Sequence, residues 1–260
     1  MTVLVPVKAV ATVDEDFELG EQGLEVDPDF LEWELGEWDS YAIEEALRLR
    51  EADESLGEIV LATVGARESE DALRAGLAMG ADRAVRIWDE QLDRFLGPLA
   101  IARLLAAQAA ETSPSLILCG AQSADAANGA TGVALAAYLG LPHVAVVREV
   151  ALDGGRITVA RELEGGVLQN VRLAMPAVLT VQTGANEPRY ATLRAIKQAE
   201  AKPLELTDLA TLGVDLAEVP EAELRRLYVP ESEGAAEMIA GDAQQVAERI
   251  AALVRGALAS

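Results

Sequence analysis

"SLILCGAQSADAANGATGVALAAYLG", Ser115–Gly140, is the stretch whose reading decides the fold. A strand-like apolar run, "LILC", stops at Gly120. A loop almost free of bulky side chains follows, and a helix of small residues starts near Thr131. A buried strand that feeds a helix through a short loop is the unit of parallel sheets with helix-covered faces. The loop composition has two physical uses. Small residues let backbone N–H groups approach an anion, and a helix N-terminus adds its dipole, a combination suited to phosphate. Small residues equally permit a tight helix–sheet contact that binds nothing. The pattern leaves both open, because it has neither the Gly-Lys-Ser/Thr of a P-loop nor a clean GxGxxG.

The same grammar extends outward. "VLVPVKAV" (Val3–Val10) and "GEIVLATVG" (Gly57–Gly65) read as buried strands. Between them, an acidic, Gly-punctuated segment reads as a long loop or an edge hairpin. "YAIEEALRLREA" has helical spacing, with Ala42, Ala46 and Leu49 on one face and Asp39 or Ser40 as candidate N-cap. "RESEDALRAGLAMGADRAVRI" reads as helix, turn at Gly80 and strand. "GPLAIARLLAAQAAETSP" is a helix with Pro98 near its first turn and Pro114 past its end. The prediction is an α/β fold, a doubly wound, mostly parallel sheet with helices on both faces. Ligands of such sheets bind outside the carboxyl ends of the strands, which puts Gly65 and Gly120 on the functional edge. After Pro142 the "DGG" and "EGG" turns predict an antiparallel meander running into "AVLTVQTG". From about Pro203 the chain is acidic and loop-rich until a closing amphipathic helix. The predicted division is an α/β core over 1–202 and a C-terminal extension over 203–260.

The 260 residues suffice for one large α/β domain with a filled core. A formal charge of -23 argues against nucleic acid, which requires a basic surface. Cys119 is the single cysteine, so the chain has no internal disulfide and reads as one from a reducing compartment. The N-terminus lacks the basic region and cleavage site of a secretory signal, and no apolar run approaches the ~18 residues of a membrane helix. The expectation is a cytoplasmic protein with no membrane insertion. The only histidine, His143, follows Pro142 at a strand start and reads as a surface or packing residue rather than a catalytic or metal-binding one. Cys119 reads as core. The acidic run Asp14–Glu37 lacks the spacing of a calcium loop. Trp33 and Trp38 are expected to cover a core edge or a subunit interface. No general acid–base pair and no metal set stands out.

A longer stretch, "VARELEGGVLQNVRLAMPAVLTVQTGANEPRYATLRAIKQA" (Val159–Ala199), resembles the beta subunit of electron transfer flavoproteins. The resemblance rests on "REL-x-GG", "PAVLT" and above all "NEPRYATL". It extends through "VKAV", "YAIEEALRL", "ALAMGADRA", "GPLAIARLLA" and "GAQSAD". It implies a chain that pairs with an alpha subunit, buries a structural AMP, and supports an FAD held mainly by the alpha subunit. Electrons would come from acyl-CoA dehydrogenases or related flavin dehydrogenases and leave to a membrane quinone oxidoreductase. The chain itself would be a carrier subunit with no catalytic residue. The AMP positions carried over are Pro6, Gly36, Trp38, Asp39, Val64 and the loop Gly120, Ala121, Gln122, Ser123, Ala124, Asp125, Ala126, Ala127, Asn128, Gly129, Ala130 and Thr131. Asp39 has helix capping as its competing role.

The resemblance also makes about 183–202 a recognition loop and helix with Leu193 as anchor, beside Arg189, Tyr190, Ile196 and Lys197. Physically, a lone Leu at that place reads as a helix-packing residue. Glu162 would pair with an arginine of the mobile flavin domain; on its own it reads as a solvated strand-end charge. This chain departs from relatives in "GEWD" (Gly36–Asp39), where many have Asn-Pro-aromatic-Asp. It also departs in "DAANGAT", which has fewer polar side chains, and in "KQAEAK", which leaves Lys197 and Lys202 standing alone. It lacks the "DGDTAQVGP" run of bifurcating relatives, which hold a second FAD in the beta site. A bifurcating carrier and a stand-alone adenine-nucleotide sensor are the alternatives.

Overall fold

The computed structural model describes residues 1–13, 16–20, 22–153, 155–217, 219, 223–229 and 238–258. Its strands are β1 (Val3–Pro6), β2 (Ala9–Val13), β3 (Leu31–Leu35), β4 (Ile59–Val64), β5 (Arg83–Ile87), β6 (Leu116–Gly120), β7 (His143–Asp153), β8 (Arg156–Leu163), β9 (Val167–Ala174), β10 (Ala177–Val181) and β11 (Leu204–Thr207). Its helices are α1 (Glu37–Ala52), α2 (Ser69–Met79), α3 (Pro98–Thr112), α4 (Thr131–Leu139), α5 (Leu193–Ala199), α6 (Leu209–Leu212) and α7 (Ala243–Leu258).

Strand alternation sets the layers. Val3 and Val5, Ile59 and Leu61, and Leu116 and Leu118 pack on one face with Ala42, Ile43, Leu47, Leu73 and Leu77 of α1 and α2. Leu4, Val60, Ala62, Ile117 and Cys119 pack on the other with Ala100, Leu104, Leu105, Leu135 and Ala136 of α3 and α4. Strands buried on both faces read as near-continuous apolar runs, and β1, β4 and β6 do, with Thr63 of β4 the one polar side chain among them. The sheet order is β11-β5-β4-β1-β6-β10-β7-β8-β9. All pairs from β11 to β7 are parallel; β7, β8 and β9 run antiparallel.

Three expectations are refined. "VLVPVKAV" is two strands rather than one, because the chain leaves the main sheet at Pro6 and re-pairs as β2. The hairpin alternative for the acidic segment is correct: β2 and β3 pair antiparallel, Ala9 opposite Leu35 and Val13 opposite Leu31. "AVLTVQTG" does not extend the meander. As β10 it inserts between β6 and β7, parallel to both. Its composition explains the placement, since every residue of β10 is buried while β9 is largely exposed. Between its parallel and antiparallel halves β7 kinks at Val146 (φ 62°), whose N–H donates to Thr180 Oγ1 at 3.1 Å.

The chain forms two compact units, Met1–Arg226 and Leu227–Ser260. The described part of the second includes α7, whose Ile250, Leu253, Val254 and Leu258 are exposed at helical spacing. Among the described residues no helix is long and apolar enough to cross a membrane.

Candidate functional site

β1 lies between β4 and β6, and the chain enters its two neighbours on opposite sides, so the carboxyl ends of β1 and β6 form the switch point of the sheet. The β1–β6 ladder is short. It pairs Val3 with Leu116 and Leu4 with Ile117, whereas β1 pairs with β4 as far as Pro6. Beyond Leu4 the two strands are joined by a side chain. Asp39 Oδ2 accepts the N–H of Lys8 at 2.8 Å, and Asp39 Oδ1 accepts the N–H of Gly120 at 3.2 Å. Gly36 N–H in turn donates to Lys8 O at 3.0 Å.

Asp39 is therefore not the helix cap. Gly36 is the N-cap of α1, with no side-chain cap bond, and Asp39 stands in the first turn and reaches outward. Its burial raises the carboxyl pKa to about 7, against the lowering effect of the Lys8 and Gly120 N–H groups and the Lys8 charge. The clasp also answers half of the loop question. A Cβ on Gly120 would lie 2.4 Å from Asp39 Oδ1 and 2.8 Å from Trp38 Cβ, so only glycine fits. A Cβ on Gly132 would lie 2.6 Å from Thr180 Cγ2, so the ends of the small-residue loop serve helix–sheet contact.

The loop between those glycines serves a cavity of about 520 Å³, within the roughly 300–1,000 Å³ usual for small-ligand sites. It gathers Pro6, Asp39, Val64, Gly120–Ser123, Asp125, Ala126 and Asn128–Thr131. Of the positions expected there, Gly36, Trp38, Ala124 and Ala127 are not in its lining. Trp38 turns away, its Nε1–H donating to Gln182 Oε1 at 2.8 Å. α4 starts at the cavity with no side-chain cap, which leaves its first N–H groups without intrahelical acceptors.

Sequence reasoning missed Lys8. Its Nζ lies 2.6 Å from both carboxylate oxygens of Asp125 and 3.4 Å from Ser123 Oγ, tying the chain after β1 to the loop after β6. Burial alone would raise the Asp125 carboxyl; bonds from Lys8 and Ser123 outweigh it and hold the group below its usual value. A cation directly past a central parallel strand was the available signal. Trp33, Phe95, Leu96, Ile101 and Leu105 also line the cavity from distant segments, and no local pattern marked them.

The Electron transfer flavoprotein domain family matches residues 25–212 of this chain. The electron transfer flavoprotein subunit beta of Methylophilus methylotrophus is 41% identical over 260 residues, 98% of each chain. The namesake from Bradyrhizobium diazoefficiens is 37% identical over 216 residues, covering 83% of this chain and 85% of the relative. That from Homo sapiens is 35% identical over 217 residues, covering 83% and 84%. This chain belongs to the electron transfer flavoprotein family, as a beta subunit.

Two stretches that carried the resemblance to electron transfer flavoproteins meet in space. Arg189 of "NEPRYATL" grips Glu44 of "YAIEEALRL" through Nε at 2.8 Å and a second guanidinium nitrogen at 2.9 Å, and reaches Glu51 at 2.8 Å. Asn186 Nδ2 donates to Glu45 Oε2 at 2.8 Å and Tyr41 O at 3.1 Å. Glu44 and Glu45 are buried, and a buried carboxylate is tolerable only when so satisfied. The hydrogen bonds Arg189 donates to Glu44, and then to Glu51, raise its pKa above its usual value. Arg189 thus fixes the loop, and what the loop presents is Tyr190, 97% exposed, and Leu193, 81% exposed. Thr192 caps α5 by accepting from Ala195 N–H at 3.2 Å. Ile196 and Lys197 continue the exposed face of α5. Lys202 does not stand alone: its Nζ donates to Leu77 O and Ala81 O at the end of α2, while Arg74 of α2 donates to Ala199 O and Lys202 O. Glu162 pairs within the chain, accepting from Arg148 at 2.9 Å. His143 is exposed at the start of β7. Cys119 is buried, and its thiol pKa is pushed far up by burial and then by Asp39.

The Asp39 clasp gives a testable pH dependence. Asp39 loses its proton near 4 in the unfolded chain and near 7 in the folded one, so unfolding releases a proton between those values. This group's contribution to stability therefore falls as pH rises from about 4 to 7, by a few kcal/mol, and is flat above. Asp39→Asn turns an N–H donor toward a backbone N–H and is less stable at low pH, by about 1–3 kcal/mol, but lacks that slope. Denaturant unfolding at pH 5 to 8 is expected to show the gap between wild type and variant narrowing as pH rises. A gap that widens contradicts the buried, half-titrated carboxyl.

Proposed function

We propose that this chain is the beta half of a heterodimeric electron carrier that buries AMP in the cavity at the β1–β6 switch point. It supports an FAD held mainly by the alpha subunit and docks acyl-CoA dehydrogenases or related flavin dehydrogenases. Electrons leave through the flavin to a membrane quinone oxidoreductase, and the carrier works in the cytoplasm. The observation that carries the nucleotide reading is the cavity: uncapped N–H groups of α4, small residues over Gly120–Thr131, and the Lys8 ammonium converge on one space. An anion at a helix N-terminus gains about 0.3–1 kcal/mol from the dipole, and more where the site is partly buried. Lys8, paired with Asp125, adds a positive charge that a phosphate would share. The residues present therefore fit a nucleotide phosphate held mostly by backbone, as the "DAANGAT" composition requires.

The flavin supplies the redox chemistry; this chain's residues position and dock. The exposed Leu163, Val167 and Leu168 at the β8–β9 hairpin support a partner surface on the meander, and the apolar face of α7 supports a second on the C-terminal extension (203–260). Glu162 supports a role in orienting the flavin domain, because a half-exposed pair such as Arg148–Glu162 is worth at most about 1 kcal/mol and exchanges partners cheaply. Leu193, held out on a capped helix behind a bidentate Arg189, supports docking by an apolar anchor worth about 1.5–3 kcal/mol.

Two measurements test this. The chain co-expressed with its alpha subunit, purified and denatured, is expected to release one FAD and one AMP per heterodimer. Two FAD would replace the reading with a bifurcating carrier, and FAD alone would remove AMP from it. Leu193→Ala is expected to lower kcat/KM for dehydrogenase-to-flavin electron transfer about tenfold with nucleotide content unchanged; an unchanged rate would remove the anchor.

A further inference from the structure

The lining of the cavity divides by chemistry. Lys8, Ser123 and Thr131 line the cavity with the start of α4 and offer donors to an anion, the Lys8 ammonium resting on Asp125. Trp33 of β3 and Phe95, in the segment leading into α3, are large aromatics that line the same cavity and serve no core. Trp33 is 41% exposed and Phe95 48% exposed, so folding of the chain leaves their rings uncovered. The other two tryptophans are already engaged: Trp38 is hydrogen-bonded to Gln182, and Trp88 packs on the α3 core. Two uncovered aromatic rings at a cavity whose polar lining is committed to an anion match a ligand with an anionic end and a flat, π-faced end. A nucleotide is such a ligand.

We infer that Trp33 and Phe95 form the base-binding wall of the site and recognise the nucleobase by ring contact. This rests on the nucleotide reading above and deepens it. The phosphate contacts, largely backbone, do not distinguish a nucleotide from any sugar phosphate. The aromatic wall supplies that distinction, because base–aromatic stacking contributes only when a base is present. The role accounts for an exposed tryptophan on the two-stranded β2–β3 hairpin. The β2–β3 hairpin is thereby part of the site, and not merely a cover for a core edge.

The test uses the heterodimer stripped of nucleotide and compares AMP with ribose 5-phosphate by calorimetry. Wild type is expected to bind AMP at least about tenfold more tightly than ribose 5-phosphate. Trp33→Ala is expected to lose about tenfold for AMP with ribose 5-phosphate affinity unchanged; Trp33→Phe restores most of it, and Phe95→Ala shows the same selective loss. Equal loss of both ligands in Trp33→Ala, or loss of neither, overturns the base-wall assignment while leaving the nucleotide site in place. Wild-type binding of neither ligand overturns the nucleotide reading itself, and the wall with it.

Discussion

The carboxylate of Asp39 takes over where the β1–β6 ladder stops. Two backbone N–H groups, on Lys8 and Gly120, lie beyond the end of the β1–β6 ladder, and one side chain accepts both. The sheet diverges there, at Pro6, a residue with no N–H to give to a ladder. That divergence is what makes a cavity rather than a continuous strand pair. Were the N–H groups unsatisfied, each would cost about 1–3 kcal/mol. Were the acceptor a backbone carbonyl, the strands would stay together and the mouth would close. Burying an acid is the compromise, and its raised pKa is the measure of the cost.

One helix connects the two functional ends. α1 begins with the clasp at Asp39 and carries Glu44 and Glu45 little more than one turn later, where they hold Arg189 and Asn186 of the loop before α5. The switch-point cavity and the exposed Tyr190–Leu193 segment are therefore built on the same rigid element. Side-chain to backbone exchange between α2 and the end of α5 fixes the far end of that segment. Leu193 can stay exposed without the loop collapsing on it because charged, satisfied groups hold the backbone beneath. This is the usual division of labour between a scaffold and a loop that carries function.

Much of this was legible in the sequence. Apolar runs bounded by glycine marked the central strands, helical spacing marked α1 to α3, and "CGAQSAD" marked the functional edge. The unread parts share a cause: they depend on what lies across space. "PAVLTV" carries a run buried on both faces, the signature of a parallel strand, yet its insertion between β6 and β7 depends on a crossover that local pattern does not encode. Asp39 at a helix start reads as a cap until β6 is placed beside it. Gly120 reads as phosphate permissive until the Asp39 oxygen is found 2.4 Å from where a Cβ would be. Trp33, Phe95 and Lys8 reach the cavity from three separate segments. The family match over residues 25–212 spans both "YAIEEALRL" and "NEPRYATL", two stretches far apart in the chain that bond to one another.

The most direct measurement is native-state amide hydrogen exchange at Lys8 and Gly120, in wild type and in Asp39→Ala. Both amides lie past the end of the β1–β6 ladder, and the carboxylate is the acceptor for each. The expected result is strong protection of both in wild type and a loss of at least about tenfold at both in the variant, with the amides of Leu118 and Leu61 unchanged. Protection that persists at Lys8 and Gly120 in the variant would show that other acceptors hold the switch point, and that Asp39 is not the interaction on which the cavity depends.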